Sequence, residues 1–170
     1  MAETGRQDAV ALLKQDHRTV EDLFEQFEKA SADGRKQKIA QQICLELSVH
    51  AMIEEEIFYP ACEGRVEEDL LQEAYVEHDG AKILIAQILD GDSESDEFYD
   101  AKVKVLQEQI EHHVKEEEQR MEGMFAQARK AGLDMEELGE QLAARKEELV
   151  TTFTATGVPK PELTTMDQPL

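Results

Sequence analysis

Residues 50–60 read His-Ala-Met-Ile-Glu-Glu-Glu-Ile-Phe-Tyr-Pro and place a histidine and a carboxylate, His50 and Glu54, four positions apart. Positions four apart share one face of an α-helix. That face also carries Leu47 and Phe58, so it is otherwise apolar. A charged group directed into a hydrophobic core is costly to bury unless it is compensated, and a metal ion compensates it well. The pattern predicts a helix whose buried face carries two candidate metal ligands.

The same spacing recurs later in the chain at His113 and Glu117. One such pair is weak evidence, because a histidine on an apolar face is commonly a hydrogen-bonded core residue. The neighbouring pair, His112 and Glu116, has the same spacing. The apolar stripe distinguishes them, since Ile110, His113 and Glu117 follow helical steps of three or four while His112 lies about 100° away. We therefore predict that His113 and Glu117 face the core.

Composition limits the classes of protein to which the chain can belong. Acidic residues outnumber basic ones 39 to 18, which gives a net charge of -21 over 170 residues. This charge argues against nucleic acid or an anionic membrane as a partner. No apolar run approaches the ~18 residues of a membrane span, and the N-terminus lacks the apolar core of a signal peptide. We expect a cytoplasmic protein with one well-packed domain.

The two cysteines, Cys44 and Cys62, fall near opposite ends of one predicted helix. At 1.5 Å per residue they are roughly 27 Å apart, which is too far for a disulfide. Free thiols agree with a reducing compartment.

Apolar periodicity predicts an all-α protein. Residues 1–150 are expected to form an antiparallel up-down-up-down four-helix bundle with a short fifth helix. Residues 151–170 hold three of the four prolines and are expected to be an extended or disordered tail. A homodimer through the fifth helix is left open by the pattern. The predicted helices are Asp8–Lys29, Arg35–Tyr59, Glu67–Leu89, Glu97–Lys130 and Asp134–Val150.

Each of the four long helices carries one histidine in its apolar stripe: His17, His50, His78 and His113. Counting outward from the connecting loops puts all four at one level of an antiparallel bundle. The pattern also repeats, because the first and second pairs are separated by 33 and 35 positions (17 to 50, 78 to 113). Two helix pairs would each supply one lone histidine and one His-x-x-x-Glu. Such an arrangement predicts a site for two metal ions.

These motifs resemble those of the hemerythrin-like family with the HHE cation-binding domain, over about residues 8–130. The resemblance implies a four-helix bundle around a non-haem di-iron centre. It also implies binding or sensing of O2, or a reaction with peroxide or a related oxidant. The matching segments are Asp-His at 16–17, His-x-x-x-Glu-Glu ending in Phe-Tyr-Pro at 50–60, Glu-His at 77–78 and His-His-Val-Lys-Glu-Glu-Glu at 112–118.

Carried over by position, the resemblance implies that two iron ions are bound. His17 and His50 would hold one ion, His78 and His113 would hold the other, and Glu54 and Glu117 would bridge them. Mixed histidine and carboxylate ligands suit iron, manganese or zinc, and the resemblance favours iron. Three functions stay open: binding or sensing of O2 or an oxidant, a peroxidase or catalase-like enzyme, and iron buffering.

The chain departs from the oxygen-carrying members of this family at Lys82, where they have a further histidine. We expect Lys82 either to extend its charged end toward solvent or to pair with a nearby carboxylate. Glu21 and Tyr75 are alternative contributors, although a surface position for Glu21 and a packing role for Tyr75 are the commoner outcomes. The missing imidazole predicts a poor reversible O2 carrier.

Overall fold

The computed structural model describes residues 8–167 and contains helices but no strands within that range. Asp8 begins the first helix by accepting a hydrogen bond from the backbone N–H of Ala11 at 2.7 Å, a standard N-cap. The prediction of an all-α protein is confirmed. The elements are α1 (Ala9–Lys29), α2 (Asp33–Ile53), a π-helical turn (Glu54–Phe58), α3 (Tyr59–Cys62), α4 (Glu68–Asp90), α5 (Tyr99–Glu118), α6 (Met124–Lys130) and α7 (Met135–Thr156).

The fourth predicted helix is wrong in its second half, because α5 ends at Glu118 and α6 begins at Met124. Gln119 leaves the helical conformation with ψ near 127°. The Gly123 N–H then bonds back to the Gln119 carbonyl at 3.0 Å. A Cβ at position 123 would lie 2.5 Å from that carbonyl oxygen, so only glycine fits. Met121, which continues the predicted apolar stripe four positions after Glu117, is instead 70% exposed.

The fifth predicted helix is longer than expected, since α7 continues to Thr156 rather than ending at Val150. Leu149 and Phe153 are buried on its inner face, and this burial stabilises the extra turns. Gly157 ends the helix with a φ of 87°, a conformation that glycine adopts without strain. The helix packs against α1 and α2.

The hydrophobic core consists of two clusters. One contains Leu13, Ile53 and Phe58 with the inner face of α7. The other contains residues such as Phe24 and Leu106 at the opposite end of the long helices. On α1 and α4 the stripe histidine falls between segments that belong to different clusters, and on α2 it lies at the boundary between them. On α5, His113 follows residues of the second cluster. A polar layer therefore separates two apolar ones.

The helices contact one another in pairs that bring this layer together: α1 with α2 and α5, α2 with α4, and α4 with α5. Cys44 and Cys62 are both free and buried, as expected from their predicted separation. None of the helices within residues 8–167 is both long enough and apolar enough to cross a membrane.

Candidate metal centre

The six predicted ligands all lie in the polar layer, and each is buried. α1, α2, α4 and α5 contribute one histidine each, the π-helical turn contributes Glu54 and the end of α5 contributes Glu117. The side chains form two trios, in each of which the potential ligand atoms lie within 4.8 Å of one another. The first trio is His17, His50 and Glu117, and the second is Glu54, His78 and His113.

Each carboxylate faces one imidazole from each trio. Glu54 Oε1 lies 2.9 Å from His50 Nε2 and 3.4 Å from His78 Nε2. Glu117 Oε1 lies 3.3 Å from His17 Nε2 and 3.3 Å from His113 Nε2. The two carboxylates therefore span the two trios.

Several of these buried atoms make no aligned hydrogen bond within the described part of the chain, despite their short separations. Buried polar atoms without partners are costly and uncommon. A cation among them would satisfy nitrogen and oxygen donors at once, and this donor set suits iron, manganese or zinc. The residues present therefore fit a metal centre. The atoms are His17 Nε2, His50 Nε2, Glu54 Oε1 and Oε2, His78 Nδ1 and Glu117 Oε1.

The outer nitrogen of each imidazole faces a further carboxylate, as is usual for metal-binding histidines. The four contacts follow the sequence repeat. The acidic residue that precedes His17 or His78 contacts the histidine on the other helix of the same pair. The acidic residue that follows Glu54 or Glu117 contacts the lone histidine of the other pair. The contacts are His50 Nδ1 to Asp16 at 2.9 Å, His113 Nδ1 to Glu77 at 3.2 Å, His17 Nδ1 to Glu118 at 2.6 Å and His78 Nδ1 to Glu55 at 3.5 Å.

Sequence reasoning did not assign these four supporting carboxylates. Asp16 and Glu77 were visible as the residues before His17 and His78, but each supports a histidine on another helix. The position of each acidic residue next to a histidine in the sequence therefore did not indicate which histidine it contacts.

The carboxylates make the site favour positive charge. Burial alone would lower the pKa of His50, but Glu54 and Asp16 outweigh it and raise the pKa to about 10. Burial would raise the pKa of Glu117, but His113 and His17 hold it well below its usual value. Surroundings that favour protonated imidazoles and ionised carboxylates also favour a bound cation.

Tyr59 is a site residue that sequence reasoning missed. Its hydroxyl donates to Glu117 Oε2 at 2.9 Å and lies 3.1 Å from His78 Nε2 and 3.2 Å from His113 Nε2. Burial, together with Glu117, raises its pKa well above the usual value, which keeps the phenol protonated. Its ring packs edge-on against Tyr75 at 5.2 Å, so Tyr75 has the expected packing role.

The π-helical turn explains how Tyr59 reaches the site. The backbone N–H of Tyr59 donates a hydrogen bond to the Glu54 carbonyl five residues earlier, so this turn contains one residue more than a turn of α-helix. In a regular helix Phe58 would follow Glu54 on this face. Such π-helical turns are rare in proteins overall, but many of those that occur lie at functional sites.

The remaining predicted neighbours lie outside the two trios. Lys82 Nζ pairs with Glu55 Oε2 at 2.9 Å, which confirms the expected ion pair. Glu21 is half-buried, with a side chain that is 41% exposed and pairs with Arg18 at 3.3 Å, which agrees with the expected position at the surface. The His112 side chain is 67% exposed.

Comparisons with known proteins agree with this geometry. The sequence profile of the hemerythrin HHE cation-binding domain matches residues 8–125. A DNA nickase from Nostoc sp. is 32% identical over 107 residues, which are 63% of this chain and 30% of that protein. The chain thus spans less than a third of that relative's length.

A crystal structure of a hemerythrin HHE cation-binding domain-containing protein from Mycobacterium kansasii shares the fold. The two superpose with a TM-score of 0.73 at 23% identity, over 89% of this chain and 94% of the other. The match of the profile to most of the helical region is the stronger finding. The chain belongs to the hemerythrin HHE cation-binding domain family.

Proposed function

We propose that the chain is a non-haem di-iron protein that binds, senses or reacts with O2 or a related oxidant. His17 and His50 would hold one iron, His78 and His113 the other, and Glu54 and Glu117 would bridge. The observation that supports this most directly is that His17 Nε2, His50 Nε2 and the Oε1 atoms of Glu54 and Glu117 are buried without an aligned hydrogen bond and converge between the two trios.

The protein's own residues prepare the site for this role. Outer hydrogen bonds from the Nδ1 atoms of His17, His50 and His113 to carboxylates orient these three imidazoles and keep their Nε2 atoms directed inward. Apolar side chains of the two clusters lie on either side of the histidine layer. Bound iron would supply redox chemistry, which zinc would not, at a site that could also take a small ligand.

We further propose that α1, α2, α4 and α5 form an antiparallel up-down-up-down bundle. The contacts between successive long helices and the convergence of their histidines at one level support this arrangement. The cytoplasmic location and the division into a bundle over 1–150 and a tail over 151–170 stay predictions.

Peroxide turnover is the second candidate, and the position of Tyr59 favours it. A buried phenol that lies within 3.2 Å of two imidazole nitrogens of the second trio can donate a hydrogen bond to a ligand there. The nicking activity named for the Nostoc relative is not proposed for this chain. A net charge of -21 opposes contact with DNA phosphates.

Metal analysis of protein reconstituted with iron tests the proposal. We expect two iron ions per chain, and one ion or none would refute the di-iron centre. His113→Ala should lose iron, whereas His112→Ala is the matched control and should retain it, because its side chain is largely exposed. Iron loss in the His112 variant alone would show that the ligand assignment is wrong.

Exposure of the reduced protein to air, and then to peroxide, separates the three functions. An oxidant-reactive centre should pass quickly to its oxidised absorption spectrum. An oxygenated spectrum that persisted for hours and reversed under vacuum would contradict the prediction of poor O2 carriage. Gas evolution with peroxide would identify the enzyme, and no spectral response would leave iron buffering.

A further inference from the structure

A cavity of about 450 Å³ adjoins the histidine layer. A diatomic ligand needs roughly the room of one water molecule, on the order of 30 Å³. The cavity is therefore more than about ten times larger than O2 requires. It falls within the ~300–1,000 Å³ range of sites for small organic ligands.

The walls of the cavity have two chemical characters. All four stripe histidines line it. Away from them most of the wall is apolar, with side chains from α1, α2, α4 and α5 that include Val20, Leu47, Ala81, Ile85 and Ile110. A surface of this kind favours a molecule with a hydrocarbon body.

The charged side chains of the wall are largely paired already. A charged ligand would have to break one of these ion pairs, so the wall favours an uncharged molecule. Two further charged residues, Lys160 and Glu162, have opposite signs and are exposed. The pairs are Asp16 with Lys146 at 2.5 Å, Glu55 with Lys82 at 2.9 Å and Glu56 with Arg145 at 2.7 Å.

Residues 158–164, which follow α7, form the remaining wall. The segment is fastened to α4 by the buried Asp79 carboxylate. That carboxylate accepts hydrogen bonds from the backbone N–H groups of Thr164, Thr165 and Met166 at 2.9, 2.6 and 3.1 Å, and from the Thr165 hydroxyl at 2.7 Å. Lys82 Nζ also donates to the Glu162 carbonyl at 3.0 Å. The tail therefore closes the cavity on one side.

We propose that this cavity binds a small uncharged organic molecule with an apolar body and one polar end, with that end directed toward the histidine layer and the tail as its outer wall. The inference rests on the proposed function only for the chemistry at the histidine end. The size, apolar walls and paired charges that favour such a ligand are independent of any metal.

Calorimetric titration with 1-octanol tests the proposal, and octanoate is the charged counterpart. We expect 1-octanol to bind at a single saturable site and octanoate to bind at least about tenfold more weakly, since its charge must be desolvated. Equal binding of both would overturn the assignment to uncharged ligands. No saturable binding of 1-octanol up to its solubility would overturn the site itself.

Filling the cavity provides the specific control. Ala81→Leu adds volume to the buried wall and should weaken 1-octanol binding about tenfold or more. Ala86→Leu, at a half-buried wall position, serves if the first variant does not fold. Ala143→Leu makes the same change on the exposed side of α7 and should leave binding unchanged. Equal affinities in all three variants would place 1-octanol outside the cavity.

The calorimetric titration and the metal analysis test the cavity proposal and the di-iron proposal independently. Binding of 1-octanol by a protein that takes up no iron would support the cavity and refute the di-iron proposal. Two bound iron ions without 1-octanol binding would support the di-iron proposal and refute the cavity proposal.

Discussion

At the scale of single residues, the orientation of each imidazole defines the site. The Nε2 atoms of His17 and His50 face the carboxylates that span the trios, while their Nδ1 atoms meet Glu118 and Asp16. Since an outer hydrogen bond fixes both the tautomer and the ring orientation, the supporting carboxylates matter nearly as much as the candidate ligands.

Tyr59→Phe should weaken metal binding by about 10- to 100-fold. It removes the hydroxyl that donates to Glu117 Oε2 at 2.9 Å and leaves that buried carboxylate less well oriented. Competition with a chelator measures the change. Tyr75→Phe is the matched control, because its ring packs on Tyr59 while its hydroxyl makes no contact with the two trios. Equal losses in both variants would indicate a packing effect instead.

At the scale of elements, irregular backbone places two site residues. The π-helical turn brings Tyr59 inward, and the break after Glu118 ends α5 one residue beyond Glu117. The break depends on Gly123, because a Cβ there would lie 2.5 Å from the Gln119 carbonyl oxygen and 2.8 Å from the Glu117 carbonyl oxygen. Both contacts are with backbone, which cannot move without disturbing the end of α5.

Gly123→Ala should therefore lower the free energy of unfolding by about 1–3 kcal/mol. Urea denaturation measures this change. Gly34→Ala is the control, since a Cβ at position 34 meets nothing within 4 Å and alanine favours a helix. Its stability should be unchanged or slightly higher. An equally stable Gly123→Ala variant would show that the break does not require glycine.

The attachment of the tail makes a separate prediction. Asp79→Ala removes the acceptor for four donor groups of the tail, so the amides of Thr164, Thr165 and Met166 should exchange with solvent at least about tenfold faster. Hydrogen exchange read residue by residue measures this. Asp69→Ala, at an exposed position on the same helix, should leave those amides unaffected. Unchanged exchange in Asp79→Ala would mean that other contacts hold the tail.

At the scale of the whole molecule, a buried polar layer divides the hydrophobic core. Metal that binds this layer in the folded state alone should raise stability, by about 2.7 kcal/mol when free metal exceeds Kd about a hundredfold. For a chain of this size that corresponds to a Tm increase of roughly 5–10 °C. Thermal unfolding with iron and with a chelator measures the difference. His113→Ala should lose this metal-dependent increase in Tm, and His112→Ala should keep it. A Tm of the unmodified protein that did not change with metal would contradict the prediction.

The sequence alone determined the helical class, the inward face of each long helix and the six residues that meet in the polar layer. These follow from the local period of 3.6 residues, because a residue's face on a helix depends only on its neighbours in the chain. The choice of His113 over His112 as the buried residue came from the same rule, and the structure buries His113.

Only the tertiary structure decided which groups meet across helices and where helices are irregular. Asp16 supports His50 and Glu77 supports His113, pairings that no spacing within one helix specifies. Tyr59 enters the site through a π-helical turn, and Asp79 holds a tail that is 85 positions away from it at Thr164. These features depend on packing between segments distant in the chain, and local periodicity carries no information about such contacts.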